Sequence, residues 1–518
     1  MSKFASAMYA SALTENGALS YSSPDPSRLS SGRLSLFFKS CRGLNIPRLY
    51  QYLSESSIEE IIDTFIIAFN TRDCRGGKGE KELGRKSLQW LMINYPNKFI
   101  KIIQFIPEYG RWDDLLHFFP GVLNLENFDL LRANYSSPDL KEDTIKTAKL
   151  TQTLIVKVFV SRINLDLDNM IKGNIVSLAA KWAPTENDSL DRKYSLVSVL
   201  CKEMNITPRE YRKSVIGPLR SYIKIVEKYM CNGQWSKIDY SKVPSCAIKR
   251  LKKAFDKHDH VRFLEWRKLL SSGKTTVKAK QLHPHELVAE VTMKGLADEV
   301  TEAQWKILEN MVIASGVMEK TIVVCDTSGS MLGTPMNVSL AFGILISNSV
   351  KGIFHNHIIT FSEVPSFFVL KDGTFFSRLR ELTGSKSGYS TDFQAVFNLI
   401  LSRAKEFGLK NEDMPERLIV ISDMQFNSAD DKYVTNHENI KKKYKNAGYN
   451  LPSIVYWNVN GSSNDFPVTK SENNTALLSG FSPSLIKSVL YDKDINPYNV
   501  LRHVLDDKRY ENIKIILS

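Results

Sequence analysis

Asp326, Ser328 and Ser330 stand at alternate positions in the stretch CDTSGSM. They offer one carboxylate and two hydroxyls, an all-oxygen donor set that suits a hard divalent cation such as Mg2+. The stretch follows a short apolar run, TIVVC, which reads as a buried strand at 321–325, and it precedes an apolar helix over about 335–350. In a doubly wound sheet such a strand end is where ligands bind, and Gly329 permits the tight turn. Taken alone, the stretch also fits an Asx turn that only caps the next helix. Two later positions favour the site. Thr391, in SGYSTDF, lies after a Gly/Ser loop and just before a helix, and Asp423, in LIVISDMQF, ends another apolar strand. Both fall on the sheet edge expected to carry Asp326, so Asp326, Ser328, Ser330, Thr391 and Asp423 form a five-position candidate for a cation.

A second candidate is electrostatic. Residues 242–280 hold 12 Lys+Arg against 3 Asp+Glu. Lys249, Arg250, Lys252, Lys253, Arg262, Arg267, Lys268, Lys274, Lys278 and Lys280 are the candidate phosphate contacts, with Phe263 and Trp266 interleaved as possible base-stacking rings. The alternative is a solvated helix face whose aromatics are buried. Charge distribution favours the polyanion. From Thr321 onward there are 21 basic and 20 acidic residues, which leaves 48 against 36 in 1–320. Nearly all of the chain's +13 therefore lies in the N-terminal part.

Other motifs carry less. RDCRGGKGE has no Ser or Thr after Lys78 and follows a helix rather than a strand, so it is not a nucleotide-binding loop. Its Gly-rich turn suits a close backbone approach, and Arg72, Arg75 and Lys78 either contact phosphate or pair with Asp113 or Asp114. His258, His260, His283 and His285 lack cysteine partners or H-E-x-x-H spacing and read as structural or surface groups. Ser330 is in no G-x-S-x-G setting, and Ser328 stands where a phosphoryl-accepting site would need a second acid, so no enzyme is expected.

The elements that must position these groups change character along the chain. Residues 1–33, rich in Ser, Gly and Pro, read as a flexible or docking arm, and 34–317 as a helical domain. Expected helices include one N-capped by Ser56 or Ser57, then 145–162, 173–182, 190–204, 217–230, 246–255, 260–271 and 302–313. From 318 to 518, strands TIVVC, HIITFS, RLIVIS and SIVYWNV alternate with helices, the pattern of a parallel, doubly wound sheet. The length calls for two or more domains. Six scattered cysteines argue against a disulfide framework and for a reducing, cytoplasmic setting. No apolar run approaches the roughly 18 residues of a membrane span, and no secretory signal is read.

The D-x-S-x-S loop with Thr391 and Asp423 resembles the metal-ion-dependent adhesion site (MIDAS) of the von Willebrand factor A (vWA) family. That resemblance covers about 319–518 and implies a Rossmann-like domain. Its cation would be held by the five named residues, some directly and others through water, with one position open for a partner's acidic side chain. The stretches FNTRDCRGGKGEKELG, PEYGRWDDLL, LAAKWAPTEND, REYRKSVIGPLRSYIKIVEKYM, YSKVPSCAIKRLKKAF and HPHELV, together with that domain, resemble the TROVE architecture of telomerase-associated, Ro and vault proteins. From about Gly32 onward the chain looks most like a domain-of-unknown-function relative of that group. This implies HEAT-like helical repeats in a ring or arc, and RNA as partner. The resulting expectation is a non-enzymatic, monomeric RNA-binding protein, its basic helical region contacting structured or single-stranded RNA and its metal site docking a partner. The alternative is a protein-interaction scaffold that takes an acidic partner at the metal site.

Overall fold

The computed structural model describes residues 11–24, 32–119, 140–316, 318–361, 364–384, 392–428, 434–463, 465–489 and 495–518. The chain is a mixed α/β protein in which helix predominates, with a six-stranded mixed sheet in its C-terminal part. It divides into two compact units. One comprises Met1–Gly84, Pro244–Lys252 and Phe263–Glu511, the other Arg85–Val243, Lys253–Arg262 and Asn512–Ser518. This division by contacts differs from the division by residue pattern at 33/34 and 317/318. Helices from both ends of the helical stretch, such as Gly32–Lys39 and Pro284–Lys294, pack into the unit that holds the sheet.

In that unit β1 (Ser11–Leu13) and β2 (Leu19–Tyr21) form a hairpin, and β3 (Met318–Glu319) pairs in parallel with β5 (Val350–Lys351). The large sheet uses β4 (Thr321–Asp326), β6 (His357–Phe361), β7 (Ser366–Val369), β8 (Arg417–Ser422), β9 (Ser453–Asn458) and β10 (Thr475–Ser479). Its order is β10-β9-β8-β4-β6-β7, parallel throughout except for the antiparallel edge pair β6–β7. The four strands expected from apolar runs are present. Two were not expected. β7 alternates half-buried and exposed residues at an edge, and β10, TALLS, is short and follows a polar loop. Every residue of β4 is buried, as parallel strands covered on both faces require. The coverage is visible at β9. Trp457 meets Phe342 of the helix Thr334–Ser349 at 4.6 Å, while its neighbour Tyr456 meets Phe393 of the helix Phe393–Glu406 at 5.9 Å. A Cβ on Gly343 would come within 2.5 Å of Cys325 Sγ, so that glycine lets the helix lie close on β4.

The second unit is built on the helix Leu140–Ile171, whose Ile155, Phe159 and Ile163 form a buried stripe at four-residue spacing. Trp112 packs edge-on to Phe159 at 5.6 Å. Several expected helices are interrupted. Ser195 and Lys224 take left-handed φ values of 51° and 53°, which divides 189–204 and 217–231 into shorter pieces. Of 173–182 only Ala179–Trp182 is helical.

Near the N-terminus, the helix Ile46–Glu59 runs through Ser56 and Ser57, and Glu60 caps the next helix, Ile61–Arg72. Ser56 is instead buried, with its Oγ 2.7 Å from Thr64 Oγ1. Among the described residues no helix is long and apolar enough to cross a membrane.

Candidate metal centre

β4 and β8 are parallel neighbours, with Cys325 paired to Ile421, so Asp326 and Ser422 end their strands side by side and Asp423 follows at once. The chain leaves β4 toward β6 on one side and leaves β8 toward β9 on the other. Their loops diverge at the strand ends, the topological switch point where doubly wound sheets open a crevice.

The Asp326 carboxylate is fully buried and already oriented. Its Oδ1 accepts from Ser328 N at 2.9 Å and Ser328 Oγ at 2.6 Å, and its Oδ2 accepts from Ser422 Oγ at 2.5 Å. Ser328 Oγ is 3.2 Å from Ser330 Oγ, and the Ser330 hydroxyl is hydrogen-bonded to Asp423. The loop after β8 is tight. Met424 N donates to Ser422 Oγ at 3.0 Å, Gln425 N donates to Asp423 Oδ1 at 3.1 Å, and Met424 takes a φ of +68° that β-carbon residues adopt only at a cost. Phe426 anchors this loop by stacking on Phe393 at 4.3 Å. Asp326, Ser328, Ser330 and Asp423 are thus brought together, and Ser330 is the exposed member. Thr391 lies outside the described residues. Ser422 was not among the expected residues, because a serine that only orients a carboxylate across a strand pair has no spacing signal in one sequence.

Burial raises the pKa of Asp326 and of Asp423, and their proximity raises that of Asp326 further. Neither has a basic partner among the described residues. Two adjoining buried carboxylates with hydroxyl neighbours and no cation from the protein fit a hard divalent ion, which would let both ionise. Among the described residues no group of three or more His, Cys, Asp and Glu is placed to hold a metal ion, and the hydroxyl-rich set here is of another kind.

The basic candidates are not equivalent. Lys249 pairs with Glu286 at 3.2 Å, Lys252 bridges Glu290 and Asp298, Arg262 pairs with Asp259 at 2.7 Å, and Arg267 with Glu299 at 2.5 Å. Arg250, Lys253, Lys268, Lys274, Lys278 and Lys280 are exposed. Phe263 and Trp266 are buried and stacked on each other at 5.7 Å, so they are core rings rather than base platforms. In the Gly-rich loop, Lys78 takes neither role expected of it. It is fully buried and donates to Phe37 O, Ser40 O and, at 2.7 Å, Ser479 Oγ. A Cβ on Gly77 would sit 2.2 Å from Asn70 O, which is the close backbone approach that the glycines suggested. Arg85, rather than Lys78, holds Asp113 and Asp114, at 2.9 and 2.6 Å.

Residues 320–514 match the domain of unknown function DUF7788, and residues 202–318 match the domain of unknown function DUF2828. A protein of Acanthamoeba polyphaga mimivirus, described only as uncharacterized, is 30% identical over 516 residues, covering 95% of this chain and 87% of the viral one. The chain belongs to the family of that mimivirus protein. In this chain the two matched segments meet at 318–320, immediately before β4, so the candidate centre lies wholly within the DUF7788 segment.

Proposed function

We propose that the C-terminal domain is a vWA-type docking module whose MIDAS-like centre holds a divalent cation, most simply Mg2+, for an acidic group. The observation that carries this is the buried Asp326–Asp423 pair at the switch point of a parallel sheet, framed by Ser328, Ser330 and Ser422 and without a basic partner among the described residues. A cation bound there would offer a Lewis-acidic position to a carboxylate oxygen. Ser422 and Ser328 hold the Asp326 carboxylate in one orientation, Ser330 steers Asp423, and the exposure of Ser330 leaves that side open to an incoming group. The set is read as one for binding rather than turnover.

Calorimetric titration with Mn2+ or Mg2+ tests it. One saturable site is expected, weakened about 10-fold or more in Asp326→Asn and in Asp423→Asn, both close in shape to the native side chain. Equal affinity in the wild type and both variants would remove the proposal.

A second reading adds RNA to the first, with TROVE-like, HEAT-like helices as its platform. It is favoured by Lys268, Lys274, Lys278 and Lys280, which are exposed and have no ion-pair partner among the described residues, within a chain part of strong basic excess.

A further inference from the structure

The second unit carries chemistry that the cation site does not use. Thr207 opens a helix at Pro208 through a capping box with Glu210, and Pro218 stands where that helix would continue. A proline has no N–H for the carbonyl four residues back, here that of Ser214, and its ring crowds it. The helix yields by widening. Tyr211–Ile216 is a π-helix, and Gly217 N donates to Arg212 O, five residues back. A Cβ on Gly217 would meet that same oxygen at 2.8 Å, so glycine permits the widening. Widened turns of this kind are frequent at functional sites.

This turn and the loop 185–187 line a cavity of about 310 Å3, in the size range of small-molecule sites. Tyr211, which is buried, ties the two together by donating its hydroxyl to Pro184 O at 3.2 Å. Asn187 turns the loop at φ +67°, and its side-chain amide has no hydrogen-bond partner among the described residues.

Two arginines line the cavity, Arg212 and Arg220. Arg220 is half-buried, and its Nε donates to Ala180 O at 2.8 Å and its Nη2 to Ala183 O at 2.6 Å, which fixes the plane of the guanidinium. Carbonyls orient that charge without neutralising it. Among the described residues no carboxylate is within ion-pair distance of Arg220, and its Nη1 has no partner. Burial lowers its pKa, as it does for a cation short of a counterion. Arg212 pairs with Glu186 at 2.7 Å, but that pair faces solvent, where ion pairs exchange at little cost.

We propose that this cavity takes the phosphoryl group of a small phosphomonoester. Arg220 is its fixed donor, Arg212 the second guanidinium, released from Glu186, and the Asn187 amide a neutral donor. Two guanidinium groups match a dianion better than a single carboxylate, and the fork of each suits phosphate oxygens. Ile216 lines the remainder of the cavity and covers the carbon portion of the ester.

The test uses the full chain in EDTA, which keeps the cation site out of the measurement. Inorganic phosphate, glycerol 3-phosphate and acetate are titrated by calorimetry at constant ionic strength, and hydrogen exchange is followed over 184–188 and 211–220. Both phosphates are expected to bind at one saturable site, with acetate at least about 10-fold weaker, and glycerol 3-phosphate should slow exchange severalfold in both segments. Arg212→Gln, at an exposed position, and Arg220→Lys, which keeps the charge and loses the fork, should each weaken glycerol 3-phosphate about 10-fold. Equal binding of acetate, unprotected segments, or variants that fold and bind like the wild type would each overturn the proposal. Should Arg220→Lys unfold, Arg212→Gln decides alone, an unchanged affinity again overturning it. Protection of these segments by single-stranded RNA but by neither phosphate would assign the cavity to a nucleic-acid backbone instead.

Discussion

At the scale of single residues, the fold repeatedly buries groups that a sequence would place at the surface. His285 is the sharpest case. It is 5% exposed, its Nε2 faces Arg42 Nη1 at 3.2 Å, and burial, then His283, Arg42 and Lys249, push its pKa down to about 2. A histidine in the unfolded chain titrates near 6.5. As pH falls below about 6.5, the unfolded chain binds a proton that folded His285 refuses, so stability is lost on acidification, by up to about 1.4 kcal/mol per pH unit, until the folded group titrates near 2. Urea unfolding at pH 6.5 and pH 5 should show this. His285→Gln is expected to shrink the wild-type difference by about 1–2 kcal/mol, and an unchanged difference would contradict the assignment. The candidate donors Asp326, Ser328, Ser330 and Asp423 were legible because each is a chemically distinctive residue at a strand end. Ser422 was not, since its meaning comes from strand register.

At the scale of elements, apolar runs identified β4, β6, β8 and β9 because strands covered on both faces must be continuously apolar. Helix ends were less legible. Ser195 and Lys224 end helices through left-handed backbone that neither residue type announces. Packing between elements uses polar groups that periodicity ignores. Glu309, on the helix Glu299–Ser315, is 1% exposed, accepts from Trp305 Nε1 at 2.9 Å, and pairs with buried Arg378 of the helix Phe375–Thr383. Removing one partner of a buried pair leaves the other charge uncompensated. Glu309→Ala is expected to destabilise the protein by about 3–5 kcal/mol, read from the denaturant midpoint, with the double variant Glu309→Leu/Arg378→Met recovering much of that loss. A loss below about 1 kcal/mol in the single variant would show that the pair contributes little.

At the scale of the whole molecule, the net charge of +13 is a sum over positions with different fates. Lys249, Lys252, Arg262 and Arg267 are already neutralised by carboxylates, whereas Lys268, Lys274, Lys278 and Lys280 face solvent. If these four are the phosphate contacts, affinity for single-stranded RNA should fall with salt at a log–log slope of roughly −3, about 0.7 per contact. Replacing all four by Ala should flatten that slope toward zero in filter binding, while Lys249→Ala and Lys252→Ala should leave it near the wild-type value. A salt-independent wild type, or an unchanged slope in the quadruple variant, would exclude this surface. What the sequence determined by itself was the local chemistry: which runs are strands, which oxygens end them, and where basic residues crowd. Those follow from side-chain type and spacing within a few residues. Only the tertiary structure decided that helices from distant parts of the chain share one unit with the sheet, and that four of the ten basic candidates are spent in internal ion pairs. It also decided that the N-terminal hairpin docks by hydrogen bonds on residues 425–428. These depend on contacts distant in sequence, whose energies no local pattern of residues encodes.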